Sequence, residues 1–145
     1  IGNEVKDFEG AAFDSRGNGQ MIAEYAAQEW PGYVYQVMLS RKWYAENFPK
    51  LKSALEDKTT TVPLDDFIRN DFNAVKIVQG VPLITERSGS IGDKRHGDAC
   101  IAKVMAHFAV RQSYETGYQP YRYEHVQIKN GFKTGRVDIW QNWDD

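Results

Sequence analysis

The arrangement of residues 10–40 constrains the fold more than any other feature of the sequence. The stretch "GAAFDS" (10–15) is typical of a short buried strand, and a glycine-spaced turn follows it. "NGQMIAEYAAQEW" then predicts a helix that Pro31 and Gly32 end, and "YVYQVMLS" (33–40) predicts a second strand. The helix residues expected to face the core are Met21, Ile22, Tyr25, Ala26 and Trp30. A strand, a helix and a strand in this order indicate a parallel βαβ unit, so the predicted fold class is α/β.

Residues 41–73 predict two shorter helical segments. An exposed segment begins at residue 41 and passes into a short helix around residues 51–55. Asp65 is expected to cap a second helix, with Phe67 and Ile68 facing inward. The acidic residues of this second segment are expected to be solvated, namely Asp65, Asp66 and Asp71.

The remainder of the chain contains a hairpin pattern, a basic loop and the strongest helical pattern. "AVKIVQG" and "VPLITERSG" predict two strands joined at Gly80. The glycine-rich loop "SGSIGDKRHG" leads into a helix over residues 98–112. Residues 113–145 are aromatic and polar, so we predict a core over residues 1–112 followed by a C-terminal tail or appendage.

Composition narrows the class of protein. A length of 145 residues fits one domain, and a net charge of −2 gives no overall basic surface for nucleic acid. Contact with nucleic acid would therefore need a local basic patch or a divalent metal. The only cysteine, Cys100, excludes an internal disulfide and falls in a helical pattern, where a packed apolar role is expected. With no long apolar run and no signal-peptide pattern, a cytoplasmic protein without a membrane partner is predicted, and a start at "IGNEV" is typical of a fragment.

Asp14 is the first candidate functional residue. It stands at the carboxyl end of the first predicted strand, the edge at which open α/β sheets build their sites. Its carboxylate could simply cap the turn, or it could bind a metal ion. Gly17 and Gly19 form no complete nucleotide-binding motif, although they would let a phosphodiester approach the backbone.

Asp98 is the second candidate, in the sequence "KRHGDA" (94–99). The apolar residues three and seven positions later, Ile101 and Met105, place Asp98 at the top of the core-facing stripe. An acid here could stabilise the helix dipole, or it could be a metal ligand of the hard oxygen type that suits Mg²⁺ or Mn²⁺. His96 could orient a ligand or contact a phosphate, although a lone histidine is more often structural.

Other chemistries lack their motifs. The sequence contains no H-E-x-x-H, no zinc-type Cys/His spacing, no G-x-S-x-G and no P-loop. The aromatic residues of the C-terminal segment could stack on bases, cover a core edge or dock a partner; they include Tyr118, Tyr121, Tyr123 and Trp140.

Four stretches in consistent order resemble the C-terminal nuclease domain of phage large terminase subunits of the Mu-like prophage type. They are "FDSRGNGQMIAEYAAQ", "LSRKWYAENFPKLKSALEDK", "VPLDDFIRNDF" and "RHGDACIAKVMAHFA". The resemblance implies an RNase H-like mixed sheet flanked by helices, with its opening strands missing here. It places Asp14 and Asp98 among the acids that hold two metal ions, Mg²⁺ or Mn²⁺, and His96 at the histidine of the site. Three features depart from the pattern. No counterpart of the family's first aspartate is found before Asp14, Gly97 replaces the first of two consecutive acids, and no ATPase motif is present.

The implied reaction is two-metal hydrolysis of double-stranded DNA during phage DNA packaging. Arg16, Lys94 and Arg95 would neutralise backbone phosphates. The implied partners are the portal protein, the small terminase subunit and an N-terminal ATPase domain, in the host cytoplasm. Two alternatives remain open: a non-catalytic docking module of the packaging machinery, and an RNase H-like resolvase or transposase relative.

Overall fold

The computed structural model of the chain describes residues 8–84 and 97–115, with side chains in the last helix described as far as Ser113. In these ranges it is a mixed α/β protein. Its strands are β1 (Ala11–Asp14), β2 (Val34–Val37), β3 (Val75–Val78) and β4 (Val81–Ile84). Its α-helices are α1 (Gln20–Glu29), α2 (Arg41–Glu56), α3 (Asp66–Asn73) and α4 (Asp98–Glu115), and a 3-10 turn (Gly17–Gly19) precedes α1. The α/β class is confirmed.

The chain divides into two compact units. The described part of the first unit is 8–39 and 105–115, and that of the second is 40–84 and 97–104. Helix α4 therefore contributes residues to both units. The predicted boundary after residue 112 stays a prediction, because residues 116–145 lie outside the described residues.

The first unit contains the predicted βαβ arrangement. Strands β1 and β2 pair in parallel, with Ala11 opposite Val34 and Asp14 opposite Val37, and α1 connects them. The ladder continues past β1, since the backbone N–H of Ser15 donates to the carbonyl oxygen of Val37 at 2.8 Å. The parallel pair thus holds the end of β1 in a defined direction.

The inward face of α1 differs from the predicted stripe. Met21, Ile22 and Tyr25 are exposed, whereas Ala23 and Ala26 are buried. The helix packs on the two short strands through its small side chains, which allow a close approach that larger side chains would prevent. Of the predicted stripe, Ala26 faces inward as expected and these three residues do not.

Helix α2 is longer than predicted. It spans 16 residues from Arg41, so the segment expected to be exposed and irregular is helical. Ser40 caps the helix, its hydroxyl accepting the backbone N–H of Trp43 at 3.2 Å. Pro49 lies within the helix on its exposed side, while Phe48 and Leu51 are fully buried. The charged residues and Pro49 in this segment interrupt the apolar pattern, so the sequence did not predict the full helix.

The second unit contains a hydrophobic core formed by described residues. Its fully or nearly fully buried members are Phe48, Leu51, Val62, Phe72, Val75, Cys100 and Val104. The packed, apolar role expected of Cys100 is confirmed. Burial raises the pKa of the Cys100 thiol well above its usual range, and the charge of Asp71 adds to this effect. We therefore expect Cys100 to remain an inert core residue.

Helix α3 confirms the predicted Asp65 cap and the inward-facing Ile68, and it corrects two other predictions. The Asp65 carboxylate accepts the backbone N–H groups of Phe67 at 2.8 Å and of Ile68 at 3.1 Å, as expected of a helix cap. Phe67, however, is exposed, and Asp71, expected to be solvated, is only 3% exposed. Asp71 precedes the buried Phe72 and lies one helical turn after Ile68, which packs on the core, so the helix carries it inward.

The hairpin is as predicted over the described residues. Strands β3 and β4 are antiparallel, with Val78 opposite Val81. Gln79 and Gly80 form the two-residue turn, both with left-handed backbone angles (φ of 53° and 75°), as a type I′ turn requires. Arg41 donates to the carbonyl oxygen of Val78 at 3.2 Å, which ties the start of α2 to the hairpin. None of the helices in the described ranges is long and apolar enough to cross a membrane.

Candidate functional site

Asp14 ends strand β1 and is partly exposed. Its Oδ1 atom accepts the backbone N–H of Arg16 at 3.2 Å and the Nε–H of the same residue at 3.3 Å. The turn-capping interpretation of Asp14 is therefore observed. Within residues 8–84 and 97–115 no hydrogen bond ends on its second oxygen, Oδ2, and the side chain is 36% exposed. Capping uses one oxygen of a side chain that is partly exposed.

Gly19 closes the turn onto Asp14. A Cβ atom at residue 19 would lie 2.5 Å from the carbonyl oxygen of Asp14, although the backbone angles of Gly19 are ordinary. The glycine is therefore required by the protein's own backbone. The sequence suggested that this glycine lets a phosphodiester approach, and the structure gives a different and sufficient reason for it.

Arg16 is predicted to contact DNA, and in the structure it pairs with Asp14. The Nε–Oδ1 distance is 3.3 Å, and the arginine side chain is half exposed. Exposed pairs of this kind contribute at most about 1 kcal/mol, so the contact is easily exchanged for another. The structure thus brings Arg16 and Asp14 together and leaves the DNA-binding role of Arg16 a prediction.

Asp98 opens helix α4 and is exposed. The prediction that it lies at the top of the core-facing stripe is wrong. The buried residues at this end of the helix are Gly97, Cys100 and Val104, which place the neighbouring Asp98 on the solvent side. The exposure keeps its carboxylate accessible to a ligand. Asp14 belongs to the first unit and Asp98 to the second.

Gly97 stands at the position where the resemblance implies an acid. Its backbone has a left-handed φ of 67°, and it is buried. A Cβ atom there would collide with the side chain of Ile84 on strand β4. An acidic residue at this position would be strained, crowded and desolvated, so the local fold selects glycine.

Asp71 is a residue that sequence reasoning missed. Its Oδ2 atom accepts the backbone N–H of Ala99, in the first turn of α4, at 3.0 Å. It therefore caps a helix that begins 27 residues later, where Gly97 has no side chain that could do so. A signal was present in the sequence: Asp71 follows Ile68 by three positions and precedes Phe72, so an acid on the inward face of this helix was a candidate for a buried partner.

Lys103 also holds α4 in the second unit and was not anticipated. Its Nζ atom donates to the Thr60 hydroxyl at 2.7 Å. Burial lowers the pKa of Lys103, because desolvation disfavours the charged amine. The first two turns of α4 are thus held at Ala99 and at Lys103.

The remaining predicted site residues, His96, Lys94 and Arg95, lie outside the described residues. Over 8–84 and 97–115, no three histidine, cysteine or acidic side chains are grouped so that they could hold a metal ion. The two described acids still fit the chemistry of a hard cation: each is accessible, and Asp14 has an oxygen without a hydrogen bond in that part of the chain.

Comparison with known proteins identifies two relatives. The sequence is 42% identical over 110 residues to the Mu-like prophage FluMu protein gp28 of Haemophilus influenzae, covering 74% of this chain and 21% of that protein. It is 37% identical over 116 residues to the "Probable terminase, large subunit gp28" of Escherichia phage Mu, covering 77% of this chain and 20% of that protein. No family model and no solved structure matches the chain.

The two relatives agree with each other and with the resemblance found in the sequence. Each match covers about three quarters of this chain, at an identity well above chance, and the chain spans about one fifth of the length of either relative. The chain is therefore a sequence of terminase large-subunit type, similar over about three quarters of its length to part of the gp28 proteins of Haemophilus influenzae Mu-like prophage and of phage Mu.

Proposed function

We propose that the chain forms part of the nuclease of a phage DNA-packaging terminase, which cuts double-stranded DNA to generate packaging ends. The relative from phage Mu bears the name of a terminase large subunit, which supports a role in DNA packaging. The parallel βαβ arrangement, with an acid at the carboxyl end of a strand, supports the nuclease part of that role.

The observation that carries the proposal is the position and exposure of Asp14. It stands at the end of a parallel strand, held on one side by the β-ladder and on the other by Gly19, and its carboxylate side chain is partly exposed. A carboxylate whose backbone is fixed and whose oxygen is accessible is suited to binding a hard divalent cation.

The proposed fold is RNase H-like, and the proposed cofactor is Mg²⁺ or Mn²⁺ at a two-metal site. Asp14 and Asp98 would supply carboxylate ligands, and His96 would act beside Asp98. Bound ions of this kind lower the barrier of phosphodiester hydrolysis by activating a water and stabilising the leaving 3′ oxygen. The protein's own contribution would be to fix the direction of each carboxylate before the ions bind.

Positive side chains around the two acids would position the DNA. In this proposal Arg16 exchanges its contact with Asp14 for a backbone phosphate when a cation binds the carboxylate, and Lys94 and Arg95 contact further phosphates. The portal protein, the small terminase subunit and an ATPase domain are the proposed partners, at the procapsid in the host cytoplasm.

The test is cleavage of a supercoiled plasmid by the full-length protein with Mg²⁺ or Mn²⁺. We expect cleavage that stops when the metal is chelated, and a loss of at least about a hundredfold in Asp14→Ala and in Asp98→Ala. Asp66→Ala is the matched control, because Asp66 is an exposed acid in the first turn of α3, as Asp98 is in α4.

Three outcomes would redirect the proposal. Metal-dependent cleavage that survives both substitutions would remove Asp14 and Asp98 from the site. Absence of cleavage combined with binding to the portal protein would favour the docking module. A strong preference for branched DNA over linear DNA in gel-shift experiments would favour the resolvase alternative.

A further inference from the structure

The buried carboxylate of Asp71 stands at the start of helix α4. It is 3% exposed, and its Oδ2 atom accepts the backbone N–H of Ala99 at 3.0 Å. Asp71 belongs to α3, next to the fully buried Phe72, so the carboxylate is held by a helix that is itself fixed in the core. The hydrogen bond therefore ties the first turn of α4 to a rigid part of the second unit.

This bond replaces the local cap that α4 lacks. The residue before the helix is Gly97, whose left-handed backbone and contact with Ile84 exclude a capping side chain. Its carbonyl oxygen accepts the N–H of Ile101 at 3.0 Å, so the first turn is closed, yet Gly97 itself supplies no side-chain acceptor for an N–H group. Asp71 supplies one from a different helix.

The bond lies one residue from Asp98. Asp98 is exposed, and a side chain at the first position of a helix is directed by the backbone of that turn. Movement of Ala99 therefore changes the direction in which the Asp98 carboxylate leaves the helix. In contrast to Asp98, Asp71 is covered, and its oxygen is already directed at Ala99.

We infer that Asp71 is a positioning residue, which acts through the backbone of Ala99 to fix the direction of the Asp98 carboxylate for metal binding. The inference rests on the proposed function, since it needs Asp98 to be a metal ligand. Its content is separate: the metal affinity of Asp98 depends on a hydrogen bond made by a residue that does not touch the metal.

The experiment measures Mn²⁺ binding by calorimetry in the full-length protein, with melting temperature and amide exchange at Ala99 measured in parallel. Asp71→Ala removes the acceptor, whereas Asp71→Asn keeps an acceptor oxygen of nearly the same shape and removes the charge. Asp71→Glu keeps the charge and displaces the oxygen. Asp65→Ala is the matched control, because Asp65 caps α3 through the same kind of hydrogen bonds.

We expect Asp71→Ala to weaken Mn²⁺ binding by about tenfold or more and to speed amide exchange at Ala99. Asp71→Glu should also weaken binding, Asp71→Asn should remain near wild type, and Asp65→Ala should lower the melting temperature without changing Mn²⁺ affinity. If Asp71→Ala does not fold, the contrast between Asp71→Asn and Asp71→Glu decides the matter.

Two results would overturn the inference alone. Mn²⁺ affinity unchanged in every folded Asp71 variant would give Asp71 a structural role only, and a strong loss in Asp71→Asn would show that the charge of Asp71, and not its hydrogen bond to Ala99, sets the affinity. Asp98→Ala separates these from failure of the proposed function: wild-type Mn²⁺ binding in that variant would reject Asp98 as a ligand, and the inference with it.

Discussion

At the scale of single residues, two glycines are determined by atoms of the protein itself. Gly19 lies against the carbonyl oxygen of Asp14, and Gly97 lies against the side chain of Ile84. Each lies close to a candidate metal ligand, and a larger side chain at either position would meet neighbouring atoms. The left-handed backbone of Gly97 and the nearby Ile84 side chain disfavour an acid before Asp98.

The first prediction concerns Gly97→Asp, which introduces the acid that the resemblance implies before Asp98. We expect it to lower the free energy of unfolding by roughly 1–3 kcal/mol more than Gly17→Asp does. Gly17 is the matched control, since it also has a left-handed backbone (φ of 54°), with no atom within 4 Å of an added Cβ. Denaturant unfolding measures both variants, and equal losses would show that Ile84 does not limit this position.

At the scale of elements, the sequence predicts the order of strands and helices better than their faces. The βαβ unit, the cap of α3, the hairpin at Gly80 and the start of α4 follow from local signals: turn residues, a capping acid and periodicity. Local signals do not show which face of a helix packs inward. On α1 the inward residues are alanines, because close packing on two short strands favours small side chains over the large apolar ones nearby.

Adjacent residues of α1 give the second prediction. Ala23→Gln should lower the free energy of unfolding by about 1–3 kcal/mol, because residue 23 is fully buried and has no room for a longer polar side chain. Ile22→Gln should change it by less than about 0.5 kcal/mol, since Ile22 is 61% exposed. Thermal or urea unfolding compares them, and a larger loss at residue 22 would restore the apolar stripe predicted from sequence.

The candidate site shows the same division between local and distant information. Asp14 and Asp98 are identifiable from strand-end and helix-start patterns, whereas Asp71 is not. Its hydrogen bond to Ala99 joins residues 28 positions apart, and such a contact exists only after α3 and α4 have packed in the second unit. The spacing of Asp71 from Ile68 and Phe72 indicates the inward face of the helix. Aspartate side chains are rarely fully buried, however, so an exposed position was predicted.

At the scale of the whole molecule, a hydrophobic core among the described residues lies in the second unit. That core contains residues of α2, α3, β3 and α4, so its packing fixes the start of α4. The similarity to the two gp28 relatives extends over about three quarters of the chain.

The third prediction tests this core with two phenylalanines of one helix. Phe72→Ala should lower the free energy of unfolding by about 3–5 kcal/mol, because Phe72 is fully buried in the cluster. Phe67→Ala, at a residue that is 60% exposed, should lower it by less than about 1 kcal/mol. Comparable losses from the two substitutions, measured by denaturant unfolding, would contradict the assignment of the α3 inward face.

The proposed function requires Asp14 and Asp98 to bind the metal ions of a terminase nuclease. Its most direct test is a crystal structure of the full-length protein with Mn²⁺, in which anomalous scattering locates the ions. We expect Mn²⁺ within about 2–2.5 Å of a carboxylate oxygen of each acid, in a site whose ions lie about 4 Å apart. Manganese bound elsewhere, with neither Asp14 nor Asp98 as a ligand, would contradict it.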